Sequence, residues 1–336
     1  MKAVIKAVAY HLPERVLGNS ELAQDYPEWT AERIEQKLGI AERRIAAPEE
    51  CASDLGVKAA EKLFASGACA PADIDFILFC TQSPDYYLPT SACVMQDRLG
   101  IPTTAGALDF NLGCSGYVYG LSLAQGLVET GQAKNLLLIT ADTYSKFLHA
   151  EDKGVRTLFG DGASATLISA SPEQGASIGP FVFGTDGRGS HHLIVEAGGA
   201  RKPVASPEVT WDEHGNPKSE GCLFMNGPEI FSFTQDMVPK SIYAMLAKAD
   251  LKMEDIELFV FHQANQYMLD FLRKKIGLPK EKFYVCLKHT GNTVSSSIPI
   301  ALKHAQDDGK LKPGTLAMLV GFGVGYSWAA TLVRWQ

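Results

Sequence analysis

The 336-residue chain contains no apolar run of the roughly 18 residues that a bilayer-spanning helix needs. It opens MKAVIKAVAYHLPERV, without a long apolar core or a small-residue cleavage pattern. No secretory signal is therefore expected, and a cytoplasmic protein is. Basic residues are in the minority: 31 Lys and Arg against 38 Asp and Glu leave a net charge of −7. That argues against nucleic acid as a bulk partner, because phosphate binding needs basic surface. The seven cysteines (Cys51, Cys69, Cys80, Cys93, Cys114, Cys222 and Cys286) include no C-x-x-C pair. Their odd number and spacing disfavour a disulfide framework and a cysteine zinc site. Most read as small apolar residues buried in a reducing compartment. A dinucleotide fingerprint is also missing. GFGVGYS (321–327) carries G-x-G-x-G after a strand, but SWAATLVRW reads as another strand where a helix is required.

What is present is the composition of a large globular core, 46% hydrophobic and 21% charged. Strand-like and helix-like segments alternate, which predicts an α/β fold. DIDFILFC (73–80), ALDFNL (107–112) and KNLLLITAD (134–142) are short dense apolar runs of the buried-strand type. Residues 53–67 and 115–131 have helical spacing and end in glycine. TLFGDGASATLISA (157–170) reads as a strand pair around a glycine turn. The second half repeats this order. DIDFILFCTQ (73–82) matches DIELFVFHQA (255–264), RLGIP (98–102) matches KIGLP (275–279), and FGDGASATLI (159–168) matches FGVGYSWAATLV (322–333). A period near 170 residues is too long for a solenoid and predicts a duplicated α/β unit, with halves 1–171 and 172–336. Residues 185–220 are rich in glycine and charge and read as loops, with a place over a site entrance.

Corresponding loops of two such halves can meet at a pseudo-two-fold axis. Cys114 ends the third strand of the first half, in NLGCSGYVYG, one step before a helix. A helix N-terminus offers unpaired N–H groups and a positive dipole end, which favour thiolate over thiol. Gly113 and Gly116 permit a tight turn and close approach of a substrate. A buried structural cysteine is the competing reading. His262 ends the first apolar strand of the second half, in FVFHQAN, where a core histidine is the ordinary alternative to a lined cavity. Asn292, in KHTGNTVSSSIP, mirrors Cys114; the ordinary alternative is a turn or cap residue. The other histidines (His11, His149, His191, His192, His214, His289 and His304) receive no role. His191-His192 lacks an obvious third metal ligand, so no metal site is expected.

Taken together, the chain resembles the thiolase-like condensing enzymes, and most closely β-ketoacyl-acyl-carrier-protein synthase III. The resemblance spans essentially the whole chain. It rests on LGIAERRIAAP (38–48), the cysteine elbow, FGDGA (159–163), MNGPEIF (225–231), HQAN (262–265), GNTVSSSIP (291–299) and GFGVGYSW (321–328). It implies a five-layered αβαβα fold and a homodimer. It also implies a two-step reaction without a cofactor, in which acyl-CoA and malonyl-acyl carrier protein are substrates. Cys114 would take the acyl group from a thioester. His262 and Asn292 would stabilise the enolate left by decarboxylation of the malonyl thioester. The N–H groups of Cys114 and Val324 would form the oxyanion hole, Val324 standing where the family commonly has glycine. A related branch transfers the acyl group to an alcohol or amine without decarboxylation, as in secondary metabolism or glycan decoration. That branch typically has aspartate at the asparagine position, so Asn292 favours condensation.

The resemblance also locates a substrate path. Family members hold the CoA adenine with a tryptophan and an arginine just before the TGI-type turn, and Arg33 and Lys37 occupy those positions here. Lys153 replaces the arginine expected before FGDG, and Tyr267 the basic residue after HQAN. Lysine is a poor substitute for a stacked or bidentate arginine. Phe231 is expected to line the entrance, with Asn265 of HQAN among the substrate-binding residues. Leu88, in DYYLPTSA, stands where the family often has a phenylalanine that closes the partner's acyl pocket. Arg273, Lys274 and Lys275 form a basic run that reads either as a solvated face or as a dock for an acidic carrier protein.

Overall fold

The computed structural model describes residues 1–172, 177–212 and 215–336. His214 and part of the 185–220 segment lie outside the described residues.

Two five-stranded mixed sheets carry the chain. The first uses β1 (Lys2–His11), β2 (Phe76–Cys80), β3 (Gly106–Phe110), β4 (Asn135–Asp142) and β5 (Gly162–Ser171), in the spatial order β1-β5-β4-β2-β3. The second uses β6 (Ser177–Thr185), β7 (Leu258–Phe261), β8 (Phe283–Tyr284), β9 (Leu316–Gly323) and β10 (Ser327–Arg334), in the order β6-β10-β9-β7-β8. The two sheets thus connect their strands in the same sequential order. In each, the two strand pairs toward one edge are parallel (β2 with β3 and β4, β7 with β8 and β9), and the remaining pairs are antiparallel.

Helices alternate with the sheets because the central strands are apolar on both faces. NLLLITAD of β4 is buried from its second residue onward, so both faces of its sheet must be covered. Helices α1 (Ala52–Ala65) and α2 (Ser91–Arg98) cover the outer face of the first sheet. Helices α3 (Gly116–Glu129) and α4 (Ser297–Asp307) lie between the sheets and share one core with strands of both, including Leu138 and Leu319. Helices α5 (Gly227–Ala249) and α6 (Gln266–Ile276) cover the outer face of the second sheet. The result is a five-layered αβαβα fold. Cys114 ends the loop into α3, and Asn292 precedes α4, so the middle layer brings both toward one plane.

One expected element differs. Residues 157–170 do not form a strand pair: only β5 is regular, and Phe159 instead makes an isolated parallel bridge to Asn292. The 157–161 stretch is diverted from its own sheet to the second half, and this fixes Asn292. Among the described residues, no helix is long and apolar enough to cross a membrane.

Leu121 on α3 is fully buried between the sheets, whereas Leu123, two residues on, is exposed. Leu121→Ala is expected to cost about 2–5 kcal/mol in urea unfolding, and Leu123→Ala within about 0.5 kcal/mol.

Candidate active site

Cys114, His262 and Asn292 line one cavity of about 630 Å³ that also contains Gly323 and Phe322. All three are buried. His262 directly follows β7 and continues its ladder, donating its N–H to Val320 O (2.8 Å). Asn292 is tied through its backbone to the 157–161 stretch: its N–H donates to Leu158 O and its carbonyl accepts from Gly160 N–H, both at 3.0 Å.

The side chains are oriented by their neighbours. Asn292 Oδ1 accepts from Val294 N–H (2.9 Å). This tight turn holds Val294 at φ 52°, a region rare for a β-branched residue. With its oxygen engaged, Asn292 presents its amide nitrogen 3.4 Å from His262 Nε2. His262 Nδ1 lies 2.7 Å from Ser297 Oγ, which also accepts from Gln263 N–H (3.3 Å). The Ser297 hydroxyl is then free to donate to Nδ1, which leaves the ring proton on Nε2. Burial, opposed by a hydrogen bond to the Val294 backbone, lowers the His262 pKa to about 3. The ring is neutral at physiological pH. Two neutral N–H donors therefore stand side by side in the cavity.

The thiol departs from the helix-dipole expectation. Burial first, and then the charge of Asp142, push the Cys114 pKa up, so the resting group is a thiol. Asp142 ends β4 and is itself fully buried. It accepts from Gln82 N–H (2.8 Å), from Ser295 N–H (3.3 Å) and from the Ser295 hydroxyl. Burial nevertheless raises its pKa to about 7 against these three donors. Sequence reasoning passed over Asp142; the available signal was one carboxylate closing an otherwise apolar strand.

The end of β9 presses on the nucleophile. A Cβ on Gly323, the last residue of β9, would lie 2.9 Å from Cys114 Cβ and 3.0 Å from its Sγ, so any larger residue would displace the nucleophile. The Val324 side chain lies outside the main cavity, in a neighbouring one, and its carbonyl accepts from Ser327 Oγ (3.0 Å).

The expected substrate residues divide. Lys37, Phe231 and Asn265 line the cavity. Asn265 also caps α6, its Oδ1 accepting from Met268 N–H (2.8 Å). The Phe231 ring packs on Tyr267, itself 64% exposed at the mouth, and on Phe271, with centroids 5.7 and 4.9 Å away. Arg33 does not line the cavity; it is exposed and donates to Glu28 O (3.1 Å). Lys153 also stays off the wall, in an ion pair with Glu28 (3.1 Å) that offsets its charge. A residue the sequence reading did not single out joins the wall. Trp29 lines the cavity, with Lys37 Nζ 4.5 Å and the Arg33 guanidinium 5.8 Å from its ring. It was missed because it lies eight residues before Lys37, across a helix (Ala31–Leu38) capped by Thr30. Leu88 is 82% exposed and lines neither this cavity nor the one beside it. Of the basic run, Lys274 and Lys275 are exposed. Arg273 is not free: it closes the end of α6 by donating to Leu278 O (3.1 Å). The 185–220 segment supplies Leu193 to the cavity wall. Among the described residues, no group of three or more His, Cys, Asp or Glu is arranged to hold a metal.

A buried thiol sharing one cavity with two neutral donors, on an αβαβα scaffold, is the arrangement of the thiolase-like condensing enzymes. The 3-oxoacyl-[acyl-carrier-protein (ACP)] synthase III family model matches residues 108–187, and the model of that enzyme's C-terminal part matches residues 246–335. The chain is 36% identical over 334 residues to the beta-ketoacyl-[acyl-carrier-protein] synthase III of Caldanaerobacter subterraneus subsp. tengcongensis, covering 99% of this chain and 98% of that one. A 2.1 Å crystal structure of a 3-oxoacyl-(acyl-carrier-protein) synthase III superposes with a TM-score of 0.99 at 57% identity, over the whole of both chains. The 3-oxoacyl-(acyl-carrier protein) synthase of Burkholderia xenovorans LB400 superposes with a TM-score of 0.91 at 37% identity, over 100% of this chain and 94% of that one. The chain belongs to the 3-oxoacyl-acyl-carrier-protein synthase III family and is an acyltransferase-type condensing enzyme.

Removing the Asp142 charge should make the thiol easier to ionise. Asp142→Asn is expected to move the pH–rate profile of Cys114 alkylation by iodoacetamide to lower pH, by about one unit or more. An unmoved profile in a folded variant would show that the carboxylate does not act on the thiol.

Proposed function

We propose that this enzyme condenses an acyl thioester with malonyl-acyl carrier protein, releasing carbon dioxide and a β-ketoacyl product. The observation that carries the reading is the pair of neutral donors, His262 Nε2 and Asn292 Nδ2, 3.4 Å apart beside the buried Cys114 thiol. In the first step Cys114 Sγ attacks the acyl carbonyl. The N–H groups of Cys114 and Val324 hold the oxyanion, the donor C–S bond breaks, and the thiol proton leaves with the departing sulfur. In the second step the malonyl carboxylate departs as carbon dioxide, and its electron pair flows onto the thioester oxygen. His262 and Asn292 donate to that oxygen. The carbanion then attacks the acyl-cysteine carbonyl, a C–C bond forms, the acyl C–Sγ bond breaks, and Cys114 leaves as thiolate and takes a proton from solvent to restore the thiol. Decarboxylation supplies the electron pair, so no base has to take a proton from carbon. A histidine held neutral down to about pH 3 suits this task.

The same reading assigns the nucleophile to a half spanning residues 1–171, and His262 and Asn292 to a half spanning 172–336. Trp29 and Lys37 at the mouth are proposed to receive the nucleotide end of acyl-CoA. Lys274 and Lys275 are proposed to receive the acidic carrier protein, with Arg273 as support. A homodimer is supported by the open edge of β3, where Leu108 is exposed, and by the apolar run of Tyr86, Tyr87 and Leu88. The reaction belongs to fatty acid biosynthesis in the cytoplasm.

Two variants separate the steps. Cys114→Ala should abolish the acyl adduct in intact-protein mass spectra. Asn292→Ala should retain the adduct and lower condensation by about 10²–10³-fold, the usual cost of one such donor. Normal condensation by Asn292→Ala would overturn the assignment.

A further inference from the structure

Among the described residues, Arg43 is the largest side chain that is wholly buried, and the two-step reaction makes no direct use of it. It lies on the strand Glu42–Ile45, paired antiparallel with Arg15–Gly18 outside the two main sheets. A guanidinium out of water needs an anion or several dipoles around it. Among the described residues no carboxylate forms an ion pair with it, and three oxygens serve instead. Nη1 donates to Leu17 O (3.1 Å) and to Asn19 Oδ1 (2.8 Å), and Nη2 donates to Thr157 O (2.7 Å). Nε is left without a partner. Burial pulls the pKa down to about 10 against the opposing charge of Glu42, so the group stays charged at neutral pH.

The third of these oxygens ties the arginine to the catalytic seam. Thr157 lines the main cavity and is followed by Leu158, whose carbonyl accepts from Asn292 N–H. The far end of the same stretch is fastened to the same strand and its end. Asp161 N–H donates to Arg44 O, and the Asp161 carboxylate accepts from Ala46 N–H, both at 2.8 Å. Between these two ties the backbone makes the pair of bonds that set Asn292. The arginine stem fills the space beneath. A Cβ on Gly160 would lie 3.0 Å from Arg43 Cβ, and one on Gly291 would lie 3.1 Å from it. The 157–161 stretch and the residue before Asn292 therefore both rest on this one side chain.

We propose that Arg43 is a positioning residue for the second step: bonded to Thr157 O and packed under Gly160 and Gly291, it sets where Asn292 presents its amide nitrogen. The proposal rests on the condensing reading above. Cys114 is carried by the loop into α3, which none of the Arg43 bonds reaches, so acylation is spared when Arg43 is replaced. Methionine in its place fills most of the volume with no charge to satisfy, an exchange that is often neutral for stability. It leaves Thr157 O without its donor and frees the stretch to shift. A displacement of about 1 Å in a catalytic group can cost about 100-fold in rate.

The test compares the natural enzyme, Arg43→Met, Asn292→Ala and the double variant. Each is loaded from whichever of acetyl-, butyryl- and octanoyl-CoA loads the natural enzyme fastest, with the adduct followed by intact mass. Each acyl-enzyme is then chased with malonyl-acyl carrier protein in a single turnover. Rates are taken per adduct-bearing molecule, so an unfolded fraction does not enter. Arg43→Met is expected to load within about threefold of the natural enzyme and to condense about 10- to 100-fold more slowly. In the Asn292→Ala background the same substitution is expected to change condensation by no more than about twofold, because the group it positions is already gone. Arg43→Lys keeps the charge and one donor but cannot span three oxygens, so its condensation rate should fall between the two, and it carries the comparison if Arg43→Met does not fold. Unchanged condensation, loading that falls as far as condensation in both Arg43 variants, or a loss that persists in full in the Asn292→Ala background would overturn the positioning role and leave the condensing function intact. A natural enzyme that loads but yields no β-ketoacyl product would overturn both.

Discussion

The site depends on the hydrogen bonds that fasten residues 290–297 of the second half to strand ends and loops of the first. Cys114 and Asn292 are carried by different sheets, and nothing within either sheet fixes their separation. The seam does so. Asn292 is held at both backbone positions by Leu158 and Gly160. Ser295 is held by Asp142, and the Ser296 hydroxyl by Thr140 and Gly162. These groups are buried, so each unmade bond would carry the full desolvation cost, about 1–3 kcal/mol. The seam therefore has a sharply preferred geometry, and the catalytic groups inherit it.

Burial also sets the charge state of the site. It holds His262 neutral and keeps Cys114 a thiol, with Asp142 reinforcing the second effect. A basic histidine would be suited to taking a proton from carbon, but His262 and Asn292, both neutral, act as donors. A neutral thiol beside two neutral donors stabilises an enolate that another process has generated. Loss of carbon dioxide is such a process, so the electrostatics and the proposed chemistry agree.

Much of this was legible in the sequence. The matched anchors at 73–82 and 255–264 predicted two similar sheets, because buried parallel strands need dense apolar runs. The cysteine elbow, HQAN and GNT marked three loop positions that the fold brings to one cavity. What stayed hidden depended on tertiary contact. Burial and Asp142 outweighed the helix-end effect expected to ionise Cys114. FGDG looked like a turn within a strand pair, but its approach is drawn away to Asn292. Trp29 was hidden by the intervening helix, which brings Lys37 back over its ring. Arg273 and Lys274 are neighbours in sequence, yet only Lys274 is exposed, because Arg273 closes the helix end.

The central claim is that decarboxylation supplies the carbanion, and stoichiometry tests it most directly. Acyl-enzyme isolated on Cys114 would be mixed with carboxyl-labelled malonyl-acyl carrier protein in a single turnover. The account predicts one labelled carbon dioxide for each β-ketoacyl product and for each acyl group discharged. Discharge of the acyl group to an alcohol or amine without carbon dioxide would contradict it.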